Sequence, residues 1–176
     1  RGVTVMPNGD IFVVTQDGEH VVEKFNSSGT HLATLRGGPD YPFSAPRFII
    51  NDGTNIFVSD FRLNSIAKYT TSGGFLSVFS NNLYDAGKLY SPEGVAYDPD
   101  GHLYIADGKY EHPRIQEWDA NGTYIGTILD STQIDNNNML ALAFGPDGKL
   151  YVSSYWRVSV FSETGEVWSL DYAIFC

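Results

Sequence analysis

Short runs in which hydrophobic residues alternate with polar ones recur along the chain, and they predict β-strands. Four of these runs follow a glycine turn and share nearly the same letters: PNGDIFVV, NDGTNIFVS, DPDGHLYIA and GPDGKLYVS. Aligning Gly9, Gly53, Gly101 and Gly148 gives spacings of 44, 48 and 47 residues. Asn-Gly and Asp-Gly before a strand are typical of tight hairpins, and no segment has a sustained 3.6-residue stripe. The pattern predicts an all-β chain made of four copies of one unit.

Each copy reads as strand, glycine turn, strand, loop, strand, glycine turn, strand. The third strand closes on an aromatic residue in VEKF, IAKY, IQEW and VSVF, and a second turn ends in Gly29, Gly73, Gly122 and Gly165. Four-stranded antiparallel units repeated every 40–50 residues or so indicate a β-propeller, in which blades stack face to face. We therefore predict one propeller domain over residues 1–176, with repeats at about 1–35, 46–79, 92–128 and 140–170.

The third copy, SPEGVAYDPDGHLYIADGKYEHPRIQEWDANGTYIGTI, closely resembles an NHL repeat. The residues that carry the resemblance are Pro92, Gly94-Val95-Ala96, Asp100-Gly101, Ala106-Asp107 and Arg114-Ile115. The second copy keeps Pro46, Ser59-Asp60 and Asn64. The first and fourth copies have Thr15 and Ser154 in place of the aspartate, so we expect their loops to be braced differently.

NHL propellers are typically six-bladed, whereas this sequence contains four copies, which leaves three interpretations. The chain is part of a larger propeller, closes as a four-bladed ring, or associates with another copy of itself. Its start at Arg1-Gly2 and its end at DYAIFC favour the partial propeller, because a blade stack with two open ends exposes apolar surface. Self-association through the open blade faces would also cover that surface.

The charge of the chain excludes two classes of partner. Eleven Lys and Arg oppose 21 Asp and Glu, for a net charge of -10. No basic cluster is available to neutralise phosphates, so we expect neither nucleic-acid binding nor attraction to an anionic membrane surface. No apolar run reaches the ~20 residues that span a bilayer. We predict an acidic, soluble protein.

Two features of the sequence bear on the cellular compartment of the protein, its cysteine content and its glycosylation sequons. The single cysteine, Cys176, has no internal partner for a disulfide. The sequons at Asn26 and Asn121 permit glycosylation in a secreted protein, and they favour an extracellular location.

The sequence predicts no catalytic residue, metal ligand or cofactor. Asp98 and Asp100 resemble a calcium-binding pair, but the further oxygen ligands of such a loop are missing, and we interpret them as turn residues. Asp60 and Asp107 end equivalent strands, which predicts structural hydrogen bonds to the following loop. The four histidines form no close ligand pair in sequence, although distant residues of a propeller can converge on its central channel. The histidines are His20, His31, His102 and His112.

The loops between the second and third strands vary most from copy to copy, and we predict that they bind a ligand. Tyr, Trp and Arg dominate binding hot spots, although Trp156 could equally pack between blades. The linker aromatics Tyr41, Phe43, Tyr84 and Tyr90 are weaker candidates. The predicted binding residues are Arg62 in the second copy, Lys109, Tyr110, Glu111 and His112 in the third, and Tyr155, Trp156 and Arg157 in the fourth.

These patterns predict a non-enzymatic interaction module that presents loops on a rigid scaffold to a protein or small molecule. Two alternatives stay open. Some six-bladed relatives of this fold are metal-dependent lyases or hydrolases, and a complete propeller of that kind would be an enzyme. The exposed blade faces would otherwise make the chain a self-assembling building block.

Overall fold

The computed structural model describes residues 2–15, 18–80, 87–108, 112–134, 139–165 and 167–175. In these residues four antiparallel sheets of four strands follow one another along the chain, and we call them blades 1 to 4. Within each blade the strands pair in sequence order. Blade 1 contains β1 (Val3–Val5), β2 (Ile11–Thr15), β3 (Val21–Phe25) and β4 (His31–Leu35).

A two-stranded ribbon, β5 (Gly37–Gly38) and β6 (Tyr41–Pro42), lies in the linker that follows blade 1. Blade 2 contains β7 (Pro46–Asn51), β8 (Asn55–Asp60), β9 (Ser65–Thr70) and β10 (Phe75–Ser80). Blade 3 contains β11 (Val95–Tyr97), β12 (His102–Asp107), β13 (Arg114–Asp119) and β14 (Tyr124–Leu129). Blade 4 contains β15 (Ala141–Phe144), β16 (Leu150–Ser153), β17 (Arg157–Thr164) and β18 (Val167–Phe175).

The glycines used to align the copies sit where the backbone needs them. Gly9, Gly53, Gly101 and Gly148 all have positive φ, between 75° and 96°. A residue with a Cβ adopts this conformation only at a cost, and glycine does so freely. The first strand of each blade therefore turns directly into the second, as the sequence pattern predicts.

The blades stack through their first strands. β1 contacts β7, β7 contacts β11, and β11 contacts β15. Each of the three interfaces between successive blades has its own hydrophobic cluster, around Phe12 and Ile56, around Phe57 and Leu103, and around Tyr104 and Leu150. The apolar residues of β8 and β12 thus pack against a neighbouring blade on both faces.

The two end blades each have one face without a neighbouring blade. Residues paired across β1 and β2 share a face, and Val3 and Val5 on the outer side of blade 1 are 61% and 57% exposed. On blade 4, Tyr172 and Ile174 of β18 share a face, because they are two residues apart, and are 47% and 52% exposed.

The four blades do not close into a ring within the described part of the chain, which is consistent with a partial propeller. The predicted fold class, an all-β chain of four-stranded antiparallel blades, is confirmed. The described residues include no helix long and apolar enough to cross a membrane.

Candidate functional site

The loops between the second and third strands lie at one end of the blades, which we call the rim (in the described chain, residues 18–20, 61–64, 108, 112–113 and 154–156). In blade 4 the Ser154 amide donates to the Arg157 carbonyl oxygen at 2.9 Å, and the Ser154 hydroxyl donates to the same oxygen at 3.3 Å. Tyr155 and Trp156 form the tip of this tight turn and are 56% and 67% exposed. Trp156 therefore faces solvent rather than packing between blades, and Arg157 beside it is half-buried.

Of the other predicted rim residues, the structure describes two and leaves three outside its described part. Arg62 is exposed in the β8–β9 loop, and His112 is exposed at the end of the β12–β13 loop. Lys109, Tyr110 and Glu111 lie outside the described residues.

The residue before the third strand has an unusual backbone in three blades. His20, Asn64 and His112 have φ of 52°, 51° and 53°, in the left-handed region that few non-glycine residues adopt. His20 and His112 therefore share a backbone conformation in the loops of blades 1 and 3. At this position in blade 2, the Asn64 side-chain oxygen accepts a 2.7 Å hydrogen bond from the Ser91 amide.

Asp60 fixes the rim of blade 2. Its carboxylate accepts hydrogen bonds from the Arg62 and Leu63 amides of the following loop, both at 3.1 Å, as predicted. It also accepts from the Ser44 and Ala45 amides of the preceding linker, at 2.8 and 3.0 Å. One buried carboxylate thus joins the linker to the rim loop.

Asp107, the equivalent residue of blade 3, binds the preceding segment and β13 in the described part of the chain. Its carboxylate accepts from the Tyr90 amide at 2.6 Å, from the Arg114 guanidinium at 2.8 and 2.9 Å, and from the Gln116 amide at 3.0 Å. The residues that follow Asp107 as Arg62 and Leu63 follow Asp60 lie outside the described residues, so the predicted bonds to the following loop stay a prediction. Burial raises the pKa of Asp107 to about 6, although Arg114 acts in the opposite direction.

A cavity of about 370 Å³ opens at the rim of blade 3. His112, Pro113 and Arg114 line one side of it, and Asp130 and Ser131 line the other. Arg114 is held by Asp107 and by the Lys88 carbonyl oxygen at 2.8 Å. This cavity has the mixed polar and apolar lining that a small polar group requires.

Three titratable side chains converge at the opposite end of blade 3. His102 Nδ1 lies 2.7 Å from Glu117 Oε1 and 3.9 Å from Asp98 Oδ2. The ligand atoms of the three residues lie within 4.8 Å of one another, a spacing at which they could hold a metal ion. Asp98 also accepts the His102 amide at 2.8 Å, in agreement with its predicted role in the turn. The sequence did not reveal this group, because only the pairing of β12 with β13 brings Glu117 to His102.

The two sequons lie in the turns between the third and fourth strands. Asn121 is exposed, whereas Asn26 is half-buried and its side-chain oxygen accepts the amides of Ser28 and Thr30 at 3.1 and 2.8 Å. Glycosylation at either asparagine stays a prediction.

Comparison with known families identifies one repeat. Residues 89–118 match the NHL repeat. This segment carries the motifs on which the resemblance was based, so the resemblance is confirmed there. No curated protein matches the chain in sequence.

Solved structures with the same fold include virginiamycin B lyase from Staphylococcus aureus, with a TM-score of 0.70 and 16% identity over 96% of this chain and 54% of that one. A chain of the nidogen–laminin complex has a TM-score of 0.65 and 16% identity over 99% of this chain and 79% of that one. YCF48 bound to D1 peptide has a TM-score of 0.61 and 14% identity, covering 96% and 51%. The chain spans about half the length of the lyase. At identities this low, the similarity to these structures shows a shared fold alone.

Proposed function

We propose that this chain is a non-enzymatic interaction module that presents its rim to a protein partner. The observation that carries the proposal is the exposed pair Tyr155 and Trp156, held at the tip of a turn by the hydrogen bonds from Ser154 to Arg157. A large aromatic side chain in a fixed position gives contact area with little loss of conformational entropy on binding.

The solved neighbours lend support to a protein partner in general terms. Among them are a chain of a nidogen–laminin complex and a protein bound to a peptide. The net charge of -10 favours a partner with basic residues near its contact surface. The exposed Arg62 and His112 would provide polar contacts around the aromatic tip.

Tryptophan fluorescence offers a direct test, because the three tryptophans differ in exposure. Trp156 is 67% exposed, whereas Trp118 and Trp168 are 4% and 5% exposed. We expect acrylamide to quench mainly Trp156. Peptides selected against the protein from a random display library should protect this residue from quenching. Trp156→Ala should weaken their binding about tenfold or more, as removal of a hot-spot residue does.

Leu76→Ala is the matched control, since Leu76 on β10 is a large exposed apolar residue (49%) in a strand rather than in a rim loop. It should leave peptide affinity unchanged. Selected peptides that bind wild type and Trp156→Ala equally well would show that the rim of blade 4 is not the binding surface.

A metal-dependent lyase or hydrolase is the second candidate, because Asp98, His102 and Glu117 lie within ligand distance of one another. Metal analysis of the purified protein, compared with His102→Ala, separates the two functions. A stoichiometric metal that is lost in the variant would favour the enzyme over the pure scaffold.

Self-assembly is the third candidate, because blades 1 and 4 each expose apolar residues on an uncovered face. Mass measurement in solution tests it. A stable monomer of 19.5 kDa would count against obligate assembly, and a dimer that Val5→Glu dissociates would support it.

A further inference from the structure

A lysine ammonium group occupies the same place in the first two blade interfaces. On blade 1, Lys24 lies opposite Phe12 in the β2–β3 pair, and its Nζ is 5.3 Å from the ring centroid. The same atom donates to the Thr71 carbonyl oxygen of blade 2 at 2.9 Å and lies 2.8 Å from the Asp10 carboxylate. Lys24 thus connects blade 1 to blade 2, and its ammonium group is stabilised by the Phe12 ring and the Asp10 carboxylate.

Blade 2 repeats this arrangement. Lys68 lies opposite Phe57, with its Nζ 5.3 Å from the ring centroid, and donates to the Ala120 carbonyl oxygen of blade 3 at 2.7 Å. Each of these two interfaces therefore has a binding position for an ammonium group, which we call the seat. It is formed by an aromatic ring from one blade and a backbone carbonyl oxygen from the next.

The third interface, between blades 3 and 4, has an aromatic ring at the equivalent position but no lysine opposite it. The cross-strand pair on blade 3 is Tyr104 and Glu117, so a carboxylate replaces Lys24 and Lys68. Glu163 of blade 4 lies two residues before Gly165, as Thr71 and Ala120 lie before Gly73 and Gly122. The position that supplies a carbonyl oxygen elsewhere therefore has a second carboxylate here.

A cavity of about 340 Å³ lies at this third seat. Three aromatic rings line it, and each contacts the other two edge to face: Tyr104 and Phe144 at 4.8 Å, Tyr104 and Trp168 at 6.0 Å, and Phe144 and Trp168 at 6.2 Å between centroids. Asp98, Asp100 and Glu163 also line it, together with Pro99, Gly145, Pro146 and Gly148. The corresponding cavity at the first interface measures about 200 Å³ and is lined by Met6, Pro7, Asn8, Gly53 and Thr71.

The charge around the third seat is negative. The Tyr104 hydroxyl donates to the Glu117 carboxylate at 3.1 Å, and the acidic residues Asp98, Asp100 and Glu163 line the cavity. Among the described residues, His102 is hydrogen-bonded to Glu117 at 2.7 Å, and Lys149 is paired with Asp171 at 2.7 Å. Aromatic faces combined with carboxylates attract an organic cation more strongly than either group does alone.

We propose that this cavity binds an alkylammonium ion, supplied by a lysine side chain of a partner or by a free amine. The ligand would take the place that Lys24 and Lys68 fill in the other interfaces, with its charge against Tyr104 and Glu163. The site lies at the opposite end of the blades from the rim, so it is independent of the function proposed above.

Calorimetry with two matched ligands tests the site. Nα-acetyl-lysine methylamide carries the ammonium group, and Nα-acetyl-norleucine methylamide has a similar alkyl chain without charge. The lysine compound should bind at least tenfold more tightly. n-Pentylamine distinguishes the sources: equal affinity for it points to a free amine, and weaker affinity points to a peptide lysine.

Two variants connect the binding to this cavity. Glu163→Gln should weaken binding of the lysine compound about tenfold. Glu117→Lys should abolish it, because the new side chain would fill the seat as Lys24 does. Glu23→Gln, on the outer face of blade 1, is the control and should bind as wild type does.

Three results would overturn the proposal: equal affinity for the lysine and norleucine compounds, no measurable binding of either, or undiminished binding in Glu163→Gln. Binding of Ca²⁺ or Zn²⁺ at Asp98, His102 and Glu117 without any binding of the amine would also overturn it. Circular dichroism confirms that each variant is folded.

Discussion

The middle blades and the end blades have similar sequences but differ in how they are buried. In β8 and β12 of blades 2 and 3, five of the six residues are buried. In β2 and β16 of blades 1 and 4, buried and half-buried residues alternate. A strand covered on both faces buries consecutive residues, and a strand covered on one face buries every second residue. Burial in this chain is therefore set by the neighbouring blades.

The rim loops differ in the same way. In the middle blades, Asp60 joins the rim loop to the preceding linker, and Asp107 joins the preceding segment to β13, each through several hydrogen bonds. Thr15 and Ser154 hold the equivalent positions in the end blades. Among the described residues, the Thr15 hydroxyl donates to the Val21 carbonyl oxygen at 3.5 Å and the Ser154 hydroxyl to that of Arg157 at 3.3 Å. The loop of blade 4 is therefore braced differently from that of blade 2, as expected, and the same expectation for blade 1 stays a prediction. In the described residues, the middle blades therefore carry buried carboxylate networks, whereas blade 4 has a local hydroxyl bond at the same position.

Asp107→Ala should have the largest effect on stability. It would leave the Arg114 guanidinium, in a residue only 9% exposed, without its carboxylate. Loss of one partner of a buried ion pair costs about 3–5 kcal/mol, and urea unfolding measures it. The matched change in an end blade, Ser154→Ala, should cost about 1 kcal/mol or less. A similar loss in both variants would remove the distinction between the blades.

Val58→Ala and Val13→Ala compare the same register position in a middle and an end blade. Val58 is fully buried, whereas Val13 is half-buried on the outer face of blade 1. We expect Val58→Ala to lower the free energy of unfolding by about 2 kcal/mol. Val13→Ala should lower it by less than about 1 kcal/mol. An equal cost in the two variants would mean that the outer face of blade 1 is covered in solution.

The pH dependence of the free energy of unfolding tests whether Asp107 has a raised pKa in the folded protein. Its pKa is about 6 in the folded protein, against an ordinary value of 3.8. A group with a raised pKa stabilises the fold below its unfolded pKa, and that contribution is lost as pH rises through the folded value. The stability of wild type relative to Asp107→Asn should therefore increase as pH falls from 7 to 4. Urea titrations at pH 7, 5.5 and 4 measure this difference, and a constant value would contradict the raised pKa.

Trp156→Ala should have the smallest effect on stability. Trp156 is 67% exposed, and substitutions at such positions usually change stability by about 0.5 kcal/mol or less. Thermal unfolding followed by circular dichroism should give nearly the wild-type midpoint. A large drop would mean that Trp156 packs against a neighbouring surface, as the alternative interpretation of the sequence proposed.

Much of the fold could be predicted from the sequence, because its signals are local. Turn glycines, period-two alternation and the aromatic at the end of each third strand identified the repeated unit and its strand order. The ribbon of β5 and β6 was not predicted, since each strand has only two residues and contains glycine or proline. β18 also extends to Phe175, beyond the predicted end of the fourth repeat.

The candidate sites were harder to predict, because they depend on contacts between strands and between blades. The exposure of Trp156 could not be decided from its neighbours in sequence. Glu117 and Glu163 belong to different blades, and only the stacking of blade 3 on blade 4 places both beside Tyr104. The sequence did contain one signal of the cavity between blades 3 and 4. In the third strand, Lys68 of IAKY is replaced by Glu117 in IQEW.

The three separate hydrophobic clusters have a consequence for how this chain folds. Every strand of the four blades pairs only with its neighbours in sequence, which gives a low contact order for a β-protein and favours rapid folding. Each cluster needs only two successive blades. Blades 1 and 2 can therefore form a stable nucleus during synthesis, before blade 4 has left the ribosome, and each later blade docks on a finished surface.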